Sequence, residues 1–229
     1  MTAERYFSKE TFAFLEELTE FNNRQWFARN KTRYETAVKE PALRFIMGFA
    51  PLLDTVSPQF RADPRPVGGS LFRIHRDTRF STDKSPYKTH TGIQFRHKTG
   101  RDAHAPCFYL HLEPRNVFAA VGIWHPDSGT LKRIRDHIVR NPSGWKRAVN
   151  AKTFARRFEL AGDTLQRSPR GYDSAHELID DIKRKDFVAV VGLKQAAVTR
   201  PDFPREFARI CRDGSPLVKF LCAAVGVPF

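Results

Sequence analysis

The order of hydrophobic periodicities constrains this chain most. Apolar residues recur at helical spacing up to about residue 57, alternate in twos between residues 70 and 125, and return mostly to helical spacing over 127–229. A block of strands with helices before and after it does not fit regular βαβ alternation, in which every strand is separated from the next by a helix. The expected fold is therefore a single α+β domain, with a mainly antiparallel central sheet flanked by N-terminal and C-terminal helices. A length of 229 residues lies below the size at which one core usually divides in two.

Local signals place the elements. Ser8 reads as a helix N-cap, followed by Phe12, Leu15 and Leu18 on one face of a helix that ends near Asn22. Asn23 caps a second helix with Trp26, Phe27, Tyr34 and Val38 as its apolar stripe. Pro41 opens a third, carrying Leu43, Ile46, Phe49, Leu53 and Val56, which Pro51 is expected to kink. Three prolines and two glycines between Ser57 and Gly69 end this helical region. Strands are expected at 71–76, 91–97, 106–112 and 116–124. In the third, Phe108, Leu110 and Leu112 share one face and Cys107, Tyr109 and His111 the other. Helices follow from Ser128 to Val139 and from Pro142 through Val149, with a shorter one over 174–185. Phe187–Leu193 reads as a last strand, and helical stretches at 203–212 and 215–225 finish the chain.

Composition narrows the setting. No apolar stretch approaches the roughly 20 residues needed to cross a bilayer, and the N-terminal residues carry no export signal, so a cytoplasmic protein is expected. Cys107, Cys211 and Cys222 are an odd number without metal-ligand spacing, and read as buried thiols in a reducing compartment. The net charge is +14, and the segment from Arg61 to Arg101 holds half of it, since seven Arg and three Lys stand against three Asp. Such a local excess repels itself unless anions compensate, and so points to an acidic partner.

The densest part is FRIHRDTRFSTDKSPYKTH, residues 72–90. Asp83, Lys84, Ser85 and Pro86 suit a tight turn. Arg73, Arg76, Arg79, Lys84 and Lys88 offer forks and point charges for phosphate oxygens, with Asp77 and Asp83 able to orient the arginines and Tyr87 supplying a ring and a hydroxyl. The same residues also suit a salt-bridge network that fastens a turn to the sheet. A second cluster, SPRGYD at 168–173, sets Arg170 and Tyr172 beside Gly171, either as a phosphate-facing loop or as the entry to the next helix.

Together with FNNRQWFARNKTRYE at 21–35, these two segments resemble, in order and over nearly the whole chain, a family of bacteria and fungi labelled domain of unknown function 2461. The resemblance rests mostly on Arg73, Arg76, Asp77, Arg79, Phe80, Asp83, Lys84, Pro86, Tyr87 and Lys88, and His75 departs from it where an aromatic is expected. It implies no activity. Six of the eight histidines (75, 90, 97, 104, 111 and 125) crowd the strand region without an HxH or HxxxH pair, so no metal site is expected. Nucleophile-elbow, P-loop and dinucleotide motifs are absent. Whether the chain is an enzyme, with what cofactor and in what oligomeric state, the sequence does not say. It favours a ligand site for nucleic acid or a phosphate-bearing small molecule, and the alternative is a non-enzymatic module that docks an acidic protein partner.

Overall fold

The structure, a computed structural model, describes residues 4–99 and 105–229, so His104 and Arg101 lie outside the described residues. Helix α1 (Lys9–Glu20) starts at Ser8, whose hydroxyl accepts from the Glu10 N–H while its own N–H donates to Thr11 Oγ1. Helix α2 (Arg24–Arg29) starts at Asn23, whose side chain accepts from the Trp26 N–H at 2.9 Å. The single second helix expected from the sequence is interrupted. The Asn30 side chain donates to the Trp26 carbonyl, α3 (Lys31–Tyr34) follows, and the next turn, Glu35–Lys39, is π-helical. Thr11 Oγ1 donates to the Ala37 carbonyl at 2.8 Å, giving an acceptor in that widened turn a partner from α1. Helix α4 (Glu40–Val56) then runs through Pro51 without a break.

The strands are β1 (Phe60–Arg61), β2 (Thr91–His97), β3 (Cys107–Leu112), β4 (Val117–Ile123), β5 (Glu159–Ala161) and β6 (Phe187–Leu193). They form one antiparallel sheet in the order β1-β2-β3-β4-β6-β5. Register sets its two faces. Phe95 opposes Phe108, which opposes Val121, which opposes Ala189, and all four are buried on the core side. The next residues along, Gln94, Tyr109, Ala120 and Val190, form a row on the opposite face, as the period of two requires.

Between β4 and β6 the chain makes α5 (Ser128–Arg140), α6 (Pro142–Asn150), α7 (Lys152–Ala155), β5 and α8 (Ile179–Ile182), and after β6 come α9 (Gln195–Val198) and α10 (Phe203–Val225). The core packs α4 and α10 on the Phe95–Phe108 side of the sheet, with Phe45, Phe49, Phe95 and Phe207 in mutual ring contact. Trp145 of α6 closes it against Phe187 and Phe220. A separate, smaller cluster joins Phe14, Leu15, Leu18, Phe27, Ala37 and Val38 of the N-terminal helices to Ile74 and Tyr87.

Three further expected elements differ. Residues 71–76 form no strand: Leu71 bridges Ile93 and His75 bridges Tyr87, so the segment divides its pairing between β2 and its own return limb. Of the helix expected over 174–185, only α8 is helical. The stretches at 203–212 and 215–225 are one helix, since Pro216 removes a single donor from a turn already held by its burial, and the Ser215 hydroxyl donates to the Cys211 carbonyl at 2.8 Å.

Candidate functional site

The basic segment is a folded-back loop. The Lys88 N–H donates to the Ile74 carbonyl and the Arg76 N–H to the Pro86 carbonyl, so residues 74–76 and 86–88 run antiparallel. The side chain of Asn22 holds this loop to α1. Its Nδ2 donates to the Tyr87 carbonyl at 2.9 Å, and its Oδ1 accepts from the Tyr87 N–H at 3.1 Å, as a neighbouring strand would. The Tyr87 ring is buried and stacked on Phe27 at 4.0 Å. Tyr87 is thus an anchor for the loop, with its ring facing the N-terminal helices.

At the loop tip the ions satisfy one another. Arg79 pairs with Asp77 at 2.7 Å, and Arg76 pairs with Asp83. The Arg79 guanidinium draws the Asp77 carboxyl down to about 2, and Ser85 and Arg76 hold Asp83 well below the usual carboxylate range. Lys84 donates to the Thr78 carbonyl. An open hollow beside this tip is lined by Asn22, Asn23, Arg24, His75, Arg76 and Lys84. No residue of the 168–173 loop lines it. Tyr172 instead donates to Asp136 of α5 at 2.8 Å and packs on the main core, and Arg170 is exposed beyond it. The structure therefore does not bring Arg170 and Tyr172 together with the basic loop.

Lys88 is placed differently. Its ammonium lies 5.3 Å over the ring of Phe72, and burial, reinforced by the charge of Arg73, pushes its pKa down. Phe72 is one wall of a hollow of about 350 Å³ on the sheet face opposite the helical core. Its floor is Cys107, Tyr109, Ala120, Gly122, Val188 and Val190, and Trp124, half exposed, stands at its far end. Gly122 is required there, because its φ of +123° is unfavourable for any side chain and a Cβ would strike the Phe187 carbonyl. Burial pushes the Cys107 thiol up to about 11, so it contributes a neutral wall and no nucleophile.

One row along the same face, the register sets Gly92 opposite His111 and His111 opposite Phe118. The His111 ring stacks on Phe118 at 4.5 Å and lies 4.5 Å from that of His90. Tyr109 Oη is 3.1 Å from His111 Nδ1, and His111 Nε2 is 3.2 Å from Glu113 Oε2, which also accepts from Asn116 at 2.7 Å. Desolvation opposes ionisation of Glu113, but the bonds from Asn116 and His111 outweigh it and hold the carboxyl below its ordinary value. An ionised Glu113 can only accept, so His111 donates through Nε2 and accepts from Tyr109 through Nδ1. Burial pushes His111 down, and burial together with His111 brings His90 down to about 4.

The basic loop, the Asn22 clamp and the strand carrying Tyr109 and His111 all fall inside the stretch that decides the family. The family described as Conserved hypothetical protein (DUF2461) matches residues 10–220. The chain belongs to the DUF2461 family. No curated protein and no solved structure matches it.

In this DUF2461 chain sequence reasoning named Tyr109, His111 and His90 without giving them a role, expecting no metal site among the histidines, and it did not name Glu113. The signal was present in part. Tyr109 and His111 of β3 and Glu113 just after it stand two apart, so a period of two places them on one face. His90 joins them only because β2 and β3 pair in the register that sets Gly92 against His111, and that register is a tertiary fact.

Proposed function

We propose that this DUF2461 chain binds a phosphate-bearing ligand, a nucleotide in the first instance, in the hollow on the open face of its sheet. The observation that carries this reading is Lys88. A half-buried ammonium that also feels the charge of another cation, Arg73, is unfavourable unless an anion is supplied. Its ammonium lies over Phe72, which lines an apolar hollow within the volume range of small-molecule sites, so in this reading Lys88, with Arg73 beside Phe72 in sequence, meets the phosphate while Phe72, Tyr109 and the valines take the ring. Arg76 and Arg79, neutralised by their aspartates, serve the shape of the loop.

A fluorescent nucleotide titrated against the wild type should saturate and quench Trp124, an effect lost in Trp124→Phe. Lys88→Ala should weaken binding by about 10- to 100-fold, since a charge-assisted bond contributes about 1.5–3 kcal/mol. Arg79→Ala should leave both affinity and melting temperature unchanged. Saturable binding that survives Lys88→Ala, or no saturable binding at all, would overturn the proposal.

One observation favours a second reading, the docking of an acidic protein. Phe80, at the tip of the basic loop, is 96% exposed with the Arg79 guanidinium 5.8 Å from its ring centre, an arrangement suited to an aromatic anchor with a charged rim. Nucleotide would then fail to compete, and Phe80→Ala would abolish the interaction.

A further inference from the structure

We propose that His90, His111 and Glu113 form a binding site for a divalent first-row transition cation, at the end of the same sheet face and independent of what the hollow binds. One donor atom from each lies within 4.8 Å of the others, and the His111 Nε2 to Glu113 Oε2 separation is 3.2 Å. Two ligands about 2.0–2.1 Å from a tetrahedral metal stand roughly 3.3 Å apart, so the His111–Glu113 edge already has the needed length. Two imidazoles and one carboxylate are a donor set suited to zinc or ferrous iron, and three protein ligands leave coordination positions open.

The surroundings are those of a prepared ligand set. His111 is buried, with its ring held flat against Phe118, so it reaches the site in one orientation. Tyr109 Oη sits on Nδ1, the nitrogen that carries the imidazole proton when Nε2 binds a metal, and then accepts the hydrogen bond that Nδ1–H donates. Asn116 donates to Glu113 Oε2 and Thr89 to Oε1 at 3.4 Å, which fixes the carboxylate plane. Gly92, opposite His111, contributes by its smallness, because a Cβ there would press on the Tyr109 hydroxyl and Phe72. Of the two side-chain ammonium and guanidinium groups that influence His90, Arg76 is already paired with Asp83, and the other is Lys88.

The test uses the full chain and the metal alone. Wild-type protein titrated with Co²⁺ should develop the visible absorption of a low-coordinate site, abolished by Zn²⁺, and after dialysis against Zn²⁺ should retain about one equivalent, as a built three-ligand site does. Glu113→Gln keeps the shape and should remove both signals, as should His90→Ala. Tyr109→Phe, which leaves all three ligands in place, should weaken Zn²⁺ affinity by about 10- to 100-fold, the usual cost of losing a partner behind a ligating histidine. Far-ultraviolet circular dichroism establishes that each variant is folded. If the wild type binds no Zn²⁺ stoichiometrically, or if folded Glu113→Gln and His90→Ala retain it, the assignment is wrong and the three residues are a hydrogen-bonded brace.

Discussion

A single side-chain amide does the work of a strand in this protein. Asn22 meets both backbone groups of Tyr87 across 65 residues of sequence, and the Tyr87 backbone beside a buried ring has no ready access to water in exchange. Asn22→Ala should therefore cost about 1–3 kcal/mol, the penalty for stranding buried polar groups. In a chain of this size that corresponds to a fall of roughly 2–4 °C in melting temperature per kcal/mol. Asn22→Asp keeps the acceptor for the Tyr87 N–H and should lose less. Equal melting of Asn22→Ala and wild type in differential scanning calorimetry would show that the clamp contributes nothing. The segments FNNRQWFARNKTRYE and FRIHRDTRFSTDKSPYKTH, which the sequence could only set side by side as resemblance, are joined physically by this residue and by the Phe27–Tyr87 stack.

Elements whose cause is local were the legible ones. The caps at Ser8 and Asn23 and the two faces of β3 follow from neighbouring residues alone, and the structure has them where the sequence placed them. Residues 71–76 misled because Leu71, Phe72 and Ile74 suit a strand, but which backbone they would pair with is a question of tertiary position. For the cations of the basic loop the sequence left a phosphate site and a salt-bridge network both open, and charge density alone does not say that Asp77 pairs with Arg79 and Asp83 with Arg76. The join of α1 to α3 has its own electrostatic brace, Arg33 bridging Glu17 and Glu10. The hydrogen bond from Arg33 holds Glu17 below its ordinary pKa of 4.5. A depressed carboxylate contributes stability above its unfolded-state pKa and loses it as the pH falls through the folded-state value. Glu17→Gln should thus be less stable than wild type by about 0.2–1 kcal/mol at pH 7, as partly exposed pairs are, and by less at an acidic pH below the folded-state value. Urea unfolding at both pH values reads this directly, and a deficit that persists undiminished in acid would place the cause in packing.

Across the whole molecule, the sheet separates two unlike surfaces. The Phe95–Phe108 side is sealed by α4 and α10, and the other carries the hollow, Lys88 and the histidine pair, so substitutions on the two sides should act respectively on stability and on binding. The small cluster that unites Phe14, Leu15, Leu18 and Phe27 with Ile74 and Tyr87 has a consequence for biosynthesis. On a ribosome adding about 5–20 residues per second, the 65 residues between Asn22 and Tyr87 take roughly 3–13 s to appear. During that interval the first helices have emerged with an apolar face and nothing to close it, which is a natural point of engagement for a chaperone. Stalled nascent chains whose exposed portion ends before Ile74 should be cleaved readily by protease within α1 and α2, and chains that expose residues beyond Lys88 should resist. Equal resistance at both lengths would mean that the helices settle without the loop.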